Sequence, residues 1–220
     1  MPLAQTLSII GVAGLASYAF ARLAVRTGWV RWYRYAVIYL PRDGLPAMPR
    51  GYSAQQLTPD EALAIDGGTV EEFRRNRMRD GMTCLAVRNR KGVCVAAAWI
   101  GAGDCAEDDV ELTFRIPAGT AWDTGMWVHP DHRLGRAFSA LVAALGEWME
   151  RQGVAGSYSR IADYNIASLT AHRRLGARMI GHFSVLKVGH WQWCAKGRPR
   201  LIRIHDGKRA DFLLPKPPSP

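Results

Sequence analysis

The stretch RIADYNIASLTAHRRLGARMIG, residues 160–181, repeats polar side chains at a helical interval. Asn165, Ser168 and His172 stand at i, i+3 and i+7, which puts an amide, a hydroxyl and an imidazole on one face of a helix. Such a face can hold a polar ligand and exchange a proton, because the ordinary histidine pKa of about 6.5 lies close to working pH. The same residues also have a purely architectural role. Asn165 is a good N-cap, Ser168 suits the third helical position and Gly176 closes the helix as a C′ residue.

A second stretch, WDTGMWVHPDHRLGRAFSALVAAL from Trp122, reads as strand, tight turn and helix. A turn with Gly135 and Ala137 at the helix start leaves backbone N–H groups pointing outward. With the positive end of the helix dipole they make an anion site suited to a diphosphate. Arg133 and Arg136 add charge from the same turn, although two solvated arginines in a plain connection would read identically. For a general base the candidates are Asp123, on the strand before the turn, and Glu111; either could be a solvated strand charge. Glu107, Asp108 and Asp109 form an acidic run on an expected loop, open to a cationic amine or simply to solvent.

The elements that must position these groups follow from periodicity. Phe138, Leu141, Val142, Leu145, Trp148 and Met149 form one apolar stripe on a helix closed by Gly153. Strand-like runs are expected at 52–57, 82–87, 93–100, 110–116, 122–128, 156–162 and 178–188, and in two shorter pieces at 190–194 and 201–204. Helices are expected at 59–67, 70–79 and 165–175. Strands and helices in this mixed order imply an α+β fold around a twisted sheet.

The chain has 220 residues with 48% hydrophobic and 22% charged, the make-up of an ordinary globular protein. A net charge of +10 favours anionic partners: acidic lipid, a phosphorylated cofactor or nucleic acid. No motif of nucleic-acid recognition spacing occurs, so nucleic acid is not the expected partner. Four cysteines without a CxxC pair read as reduced thiols near a core, which suits the cytoplasm. His129 and His132 lack the carboxylates or thiols that would complete a metal site, and no metal is expected.

Residues 2–21 carry no charge, and Arg22, Arg26, Arg31 and Arg34 follow, interleaved with tryptophan and tyrosine. One-sided arginine beside aromatics is the pattern of a membrane interface. A membrane anchor or interfacial hairpin, a pair of packing helices, and a signal peptide all stay open for this segment. Residues 1–41 are therefore expected to be a helical extension, on the first reading attached to the cytoplasmic face of the inner membrane. A linker at 42–51, a folded domain at 52–205 and a flexible proline-rich tail at 206–220 complete the expected organisation.

The order of these parts, carried by VHPDHRLGRA at 128–137 and NIASLTAHRRLGARMIG at 165–181, resembles the GNAT superfamily of acyl-CoA-dependent N-acyltransferases over roughly residues 51–194. The resemblance implies a GNAT-like mixed, mostly antiparallel twisted sheet flanked by helices. It implies a split beside the 122–128 strand, where pantetheine pairs with exposed backbone from Val128 back along the strand. His132, Arg133, Leu134, Gly135, Arg136 and Ala137 then match the diphosphate turn, with His132 replacing the usual Gln or Arg. Asn165, followed by Ser168, matches the position near the pantetheine arm. His172 stands where a tyrosine often donates a proton to the departing thiolate. The co-substrate implied is acetyl-CoA or a longer acyl-CoA, and the acceptor an amine, small or lipid-linked. A CoA-binding or sensory module on the same fold, without turnover, is the alternative. No Cys-His or Ser-His signature calls for a covalent enzyme intermediate.

Overall fold

The computed structural model describes residue 19 and residues 29–65, 68–133 and 135–217. The chain divides into two units that are not contiguous in sequence. One contains Tyr39–Cys105 and Ile116–Ser159; the other contains residues 29–38, Ala106–Arg115 and Arg160–Pro215.

In the first unit, strands β2 (Tyr52–Gln56), β3 (Thr83–Asn89), β4 (Cys94–Gly101) and β7 (Ala121–Val128) pair antiparallel in that order. The start of β8 (Gly156–Ala162) then joins β7 in parallel. Helix α1 (Pro59–Ala64) opens on a capping box between Thr58 and Glu61, and α2 (Glu71–Arg79) follows. Helix α3 (Ala137–Arg151) covers the sheet. Its buried Ala137, Ala140, Leu141, Ala144, Leu145, Trp148 and Met149 meet Leu85, Val87, Val95, Ala98 and Ile100. Each fully buried leucine contributes about 2 kcal/mol, so this stripe, rather than helix propensity, holds α3 in place.

In the second unit, β1 (Val30–Pro41, through Ile38), β9 (Arg178–Val188), β10 (Trp191–Cys194) and β11 (Leu201–Arg203) lie in one sheet, with β9, β10 and β11 a consecutive antiparallel meander. Strand β6 (Leu112–Arg115) pairs in parallel with β12 (Ala210–Leu213), and the two-residue β5 (Cys105–Ala106) completes that small sheet. Helix α4 (Ile166–Arg174) belongs here as well. Tyr35, Phe114, Phe183 and Phe212 form an aromatic core with centroids 5.1 to 5.7 Å apart.

Three expectations about organisation change. Residues 30–41 form a strand, not a helical extension, because VRWYRYAVIYLP is β-branched and aromatic, and Tyr35–Leu40 are buried. The proposed linker at 42–51 is packed: Leu45 and Met48 lie against the α3 core, and Arg42 N donates to the Ala155 carbonyl. The tail contributes β12, with Ala210 and Phe212 buried, so flexibility is not its character over 210–213. The expected span at 2–21 falls outside the described residues apart from Ala19. Among the described residues no helix is long and apolar enough to cross a membrane.

All four cysteines are free. Cys84, Cys105 and Cys194 are buried and Cys94 is half-buried. Burial pushes the Cys84 thiol up to about 12 and raises Cys94 and Cys194 as well.

Candidate active site

The residues singled out by sequence fall into two groups. Asp123, Val128, Arg133, Gly135, Arg136 and Ala137 belong to the α3 unit; Asn165, Ser168 and His172 belong to the α4 unit. Leu134 lies outside the described residues.

Strand β7 organises the first group. Its parallel ladder to β8 joins Ala121 to Ser157 and Trp122 to Tyr158; beyond Trp122 it is paired, among the described residues of this unit, on its β4 side alone. On that side the register slips. Trp127 faces Ala97 but Thr124 faces Trp99, so Gly125 and Met126 together oppose Ala98. This is a β-bulge, and Gly125 sits in it at φ +61°. A side chain there would meet the Phe73 ring at 2.8 Å and Trp99 at 3.2 Å, so both backbone and space require glycine.

The strand runs into a 3₁₀ turn at Pro130–His132. The expected row of open amides is only partly present. His132, Arg133 and Gly135 N–H groups donate to the carbonyls of His129, Pro130 and His132 at 2.9, 3.3 and 3.1 Å. The Asp131 N–H donates to His129 Nδ1. A tight 3₁₀ turn satisfies its own donors, which spacing alone does not reveal. What the turn does offer is the start of α3. Arg136 caps that helix without a side-chain hydrogen bond, and its first turn holds no acidic residue. Arg133 and Arg136 are exposed beside it, and Arg133 Nε donates to the Val128 carbonyl at 3.3 Å. A helix start with no side-chain cap, flanked by two guanidiniums, is chemically fit for a phosphate.

Asp123 is not a solvated strand charge. It is 1% exposed, at the point where the β7–β8 ladder ends, and its Oδ2 accepts from Ser157 Oγ at 2.6 Å. Burial pushes its carboxyl up to about 7, opposed by the Ser157 and Ser159 hydroxyls, which favour the charged form.

In the second group, Asn165 caps α4 by accepting from the Ser168 N–H at 3.2 Å. His172 is 3% exposed, with Nδ1 2.8 Å from the Ser168 carbonyl oxygen. A carbonyl only accepts, so Nδ1 carries the proton and the ring is the neutral Nδ1–H tautomer. Burial lowers its pKa, opposed by the Ser168 carbonyl, which favours the charged ring. That state suits a proton acceptor better than the proton donor the resemblance implies.

Among the other carboxylates, Glu111 Oε2 pairs with Arg209 at 3.0 Å. Glu107 is buried and ion-paired with Arg160, which lies over the Tyr35 ring at 4.3 Å; Asp109 is 3.7 Å from the same guanidinium. Asp108 and Asp109 are exposed and the run is a loop, as its composition suggests; Glu107 alone departs from that reading by being buried. The signal for a buried Glu107 is Arg160 within a strand, whose partner spacing cannot identify.

This chain has the GNAT fold. It resembles a protein assigned to the GNAT family of acetyltransferases from Novosphingobium aromaticivorans, at 18% identity and a TM-score of 0.50, over 72% of this chain and 66% of that one. A conserved protein of unknown function from Staphylococcus epidermidis is similar at 12% identity and a TM-score of 0.51, covering 75% of this chain and 65% of the other. A Drosophila protein matches at 15% identity and 0.50, over 78% and 56%. The chain thus spans between 56% and 66% of the length of these solved chains. No family model matches the sequence, and no curated protein does.

Proposed function

We propose that this chain is an N-acyltransferase that takes the acyl group of an acyl-CoA, acetyl-CoA first among them, and passes it to an amine by direct attack in a ternary complex. The observation that carries the reading is the path of β7. It leaves the β8 ladder after Trp122, bulges at Gly125 and leads to an α3 N-terminus with no side-chain cap. Backbone groups released from one ladder suit the amides of a pantetheine arm, and a bulge re-aims an N–H toward a thioester oxygen. The α3 start with Arg133 and Arg136 suits the diphosphate.

Holding amine and thioester together supplies much of the acceleration, so no enzyme nucleophile is required. Asp123, with a carboxyl near 7, has proton affinity matched to neutral pH. Because it is buried, the ammonium proton reaches it through a relay, and the Ser157 hydroxyl is in contact with it. Asn165 and Ser168 order the start of α4, and His172 positions Ser168 rather than acting as the acid. The acceptor is an amine, small or lipid-linked.

A second reading, a CoA-binding module without turnover, is favoured by the turn amides already engaged at His132, Arg133 and Gly135. Calorimetric titration with acetyl-CoA and CoA, together with thiol release over an amine panel, separates the two. Binding with amine-dependent thiol release supports the enzyme. Binding without release supports the module, and absence of binding removes both.

A further inference from the structure

One face of the β9–β10–β11 meander holds none of the residues assigned above to acyl transfer. Strand alternation turns Gln192 and Cys194 inward and Trp191 and Trp193 outward. The register fixes their neighbours: Trp191 stands beside Val188 and Arg203, and Trp193 beside Leu186 and Leu201. Trp191 is 51% exposed, Trp193 40%, Val188 46% and Leu201 57%. Trp29, 76% exposed, is at the same end, its carbonyl accepting from Gly189 N at 2.9 Å. Single exposed apolar residues need no explanation; a register-aligned row of tryptophan and aliphatic side chains does.

The charged residue in this row and those on the β10–β11 connection are all basic. Arg203 is within the row, and the β10–β11 connection carries exposed Lys196, Arg198 and Arg200. None of the positions paired across this face is a carboxylate. The chain as a whole carries +10, and its uncharged run at 2–21, followed by Arg22 and Arg26, leads in sequence to Trp29. Tryptophan has an apolar body with one polar edge, and arginine has an apolar stem and a phosphate-matching head. Together they suit the boundary between lipid headgroups and acyl chains.

We propose that this face lies on an anionic lipid bilayer. Trp29, Trp191, Trp193 and Leu201 sit at the acyl boundary, and Arg200 and Arg203 pair with lipid phosphates. The attraction has two parts, apolar burial and electrostatic contact with acidic headgroups. The inference does not depend on the acyltransfer reading, since no residue is shared.

The test uses the purified full chain with phosphatidylcholine vesicles, with and without phosphatidylglycerol, read by co-sedimentation and by tryptophan quenching with brominated lipid. The wild-type chain is expected to partition into the anionic vesicles and to leave them as salt rises. The double change Trp191→Ser with Trp193→Ser is expected to weaken partition about tenfold or more, through lost apolar burial. Arg203→Glu, which keeps both tryptophans, is expected to weaken it about tenfold through charge alone. Circular dichroism and the thermal midpoint check that each variant is folded; if the double variant is not, Arg203→Glu decides. Three results overturn the proposal. The first is that both variants bind as the wild type does, which places the contact elsewhere in the chain. The second is equal binding to neutral and anionic vesicles. The third is a dimer in sedimentation that the double variant dissolves, with no vesicle binding, which makes the face a contact between two copies of the chain.

Discussion

Replacing Asp123 with asparagine tests whether a buried carboxyl sets the pH dependence of the fold. The carboxyl titrates near 7 in the folded chain and near its ordinary 3.8 when unfolded. A folded-state value above the unfolded one means the native state holds its proton longer. The stability from this group is therefore full below about pH 4 and is lost as pH rises through 7. Well below pH 7 each pH unit removes about 1.4 kcal/mol and at pH 7 half that, so the wild type should lose roughly 2 kcal/mol between pH 5 and 7 from this group alone. The asparagine side chain cannot ionise, keeps an oxygen for the Ser157 hydroxyl and fills nearly the same volume. The variant should therefore gain about 3 kcal/mol on the wild type between pH 5 and pH 8. Guanidinium unfolding of both chains at the two pH values measures this as a change in midpoint at constant slope. A gap that stays within about 0.5 kcal/mol across the range would refute the reasoning, because the carboxyl would then titrate alike in both states. Thiol release from acetyl-CoA by the same variant reads the separate question of its role as proton acceptor.

Other substitutions test other parts. Gly125→Ala places a methyl against Phe73 and demands a left-handed alanine, so a loss of about 2 to 4 kcal/mol is expected in denaturant unfolding. Asn165→Ala removes the α4 cap and should cost about 1 kcal/mol, with faster amide exchange confined to the first turn of that helix. Glu107→Gln leaves Arg160 with the 3.7 Å contact to Asp109 as its carboxylate partner and should cost about 3 kcal/mol by thermal unfolding. Arg133→Ser together with Arg136→Ser should weaken calorimetric CoA affinity about tenfold and flatten its salt dependence, without moving the thermal midpoint.

Much of the fold was legible because its elements carry strong local signals. The α3 stripe, the Asn165 cap and the runs that became β3, β4, β7 and β9 each declare a period or a boundary within a few residues. The failures have a common physical cause. Strand β1 reads together with the arginine-flanked segment before it, since tryptophan and tyrosine among arginines suit a membrane edge and a strand equally. Strand β12 is short and follows a turn, and only its distant partner β6 makes it a strand. At the candidate site, residue type and spacing singled out Asp123, Arg133, Arg136 and Asn165. They could not report that Ser157 would meet Asp123, nor that the 3₁₀ turn would consume its own amides. Those facts depend on contacts between segments far apart in sequence.

The state of the sulfur atoms bears directly on how turnover can be followed. Cys84, Cys105 and Cys194 are shielded from solvent, and the Cys84 proton is held far above neutral pH. A chromogenic disulfide reagent attacks thiolates, so it should leave these three untouched in the native chain. Colour developing with acetyl-CoA and an amine then reports liberated coenzyme thiol, over a background set by Cys94 alone.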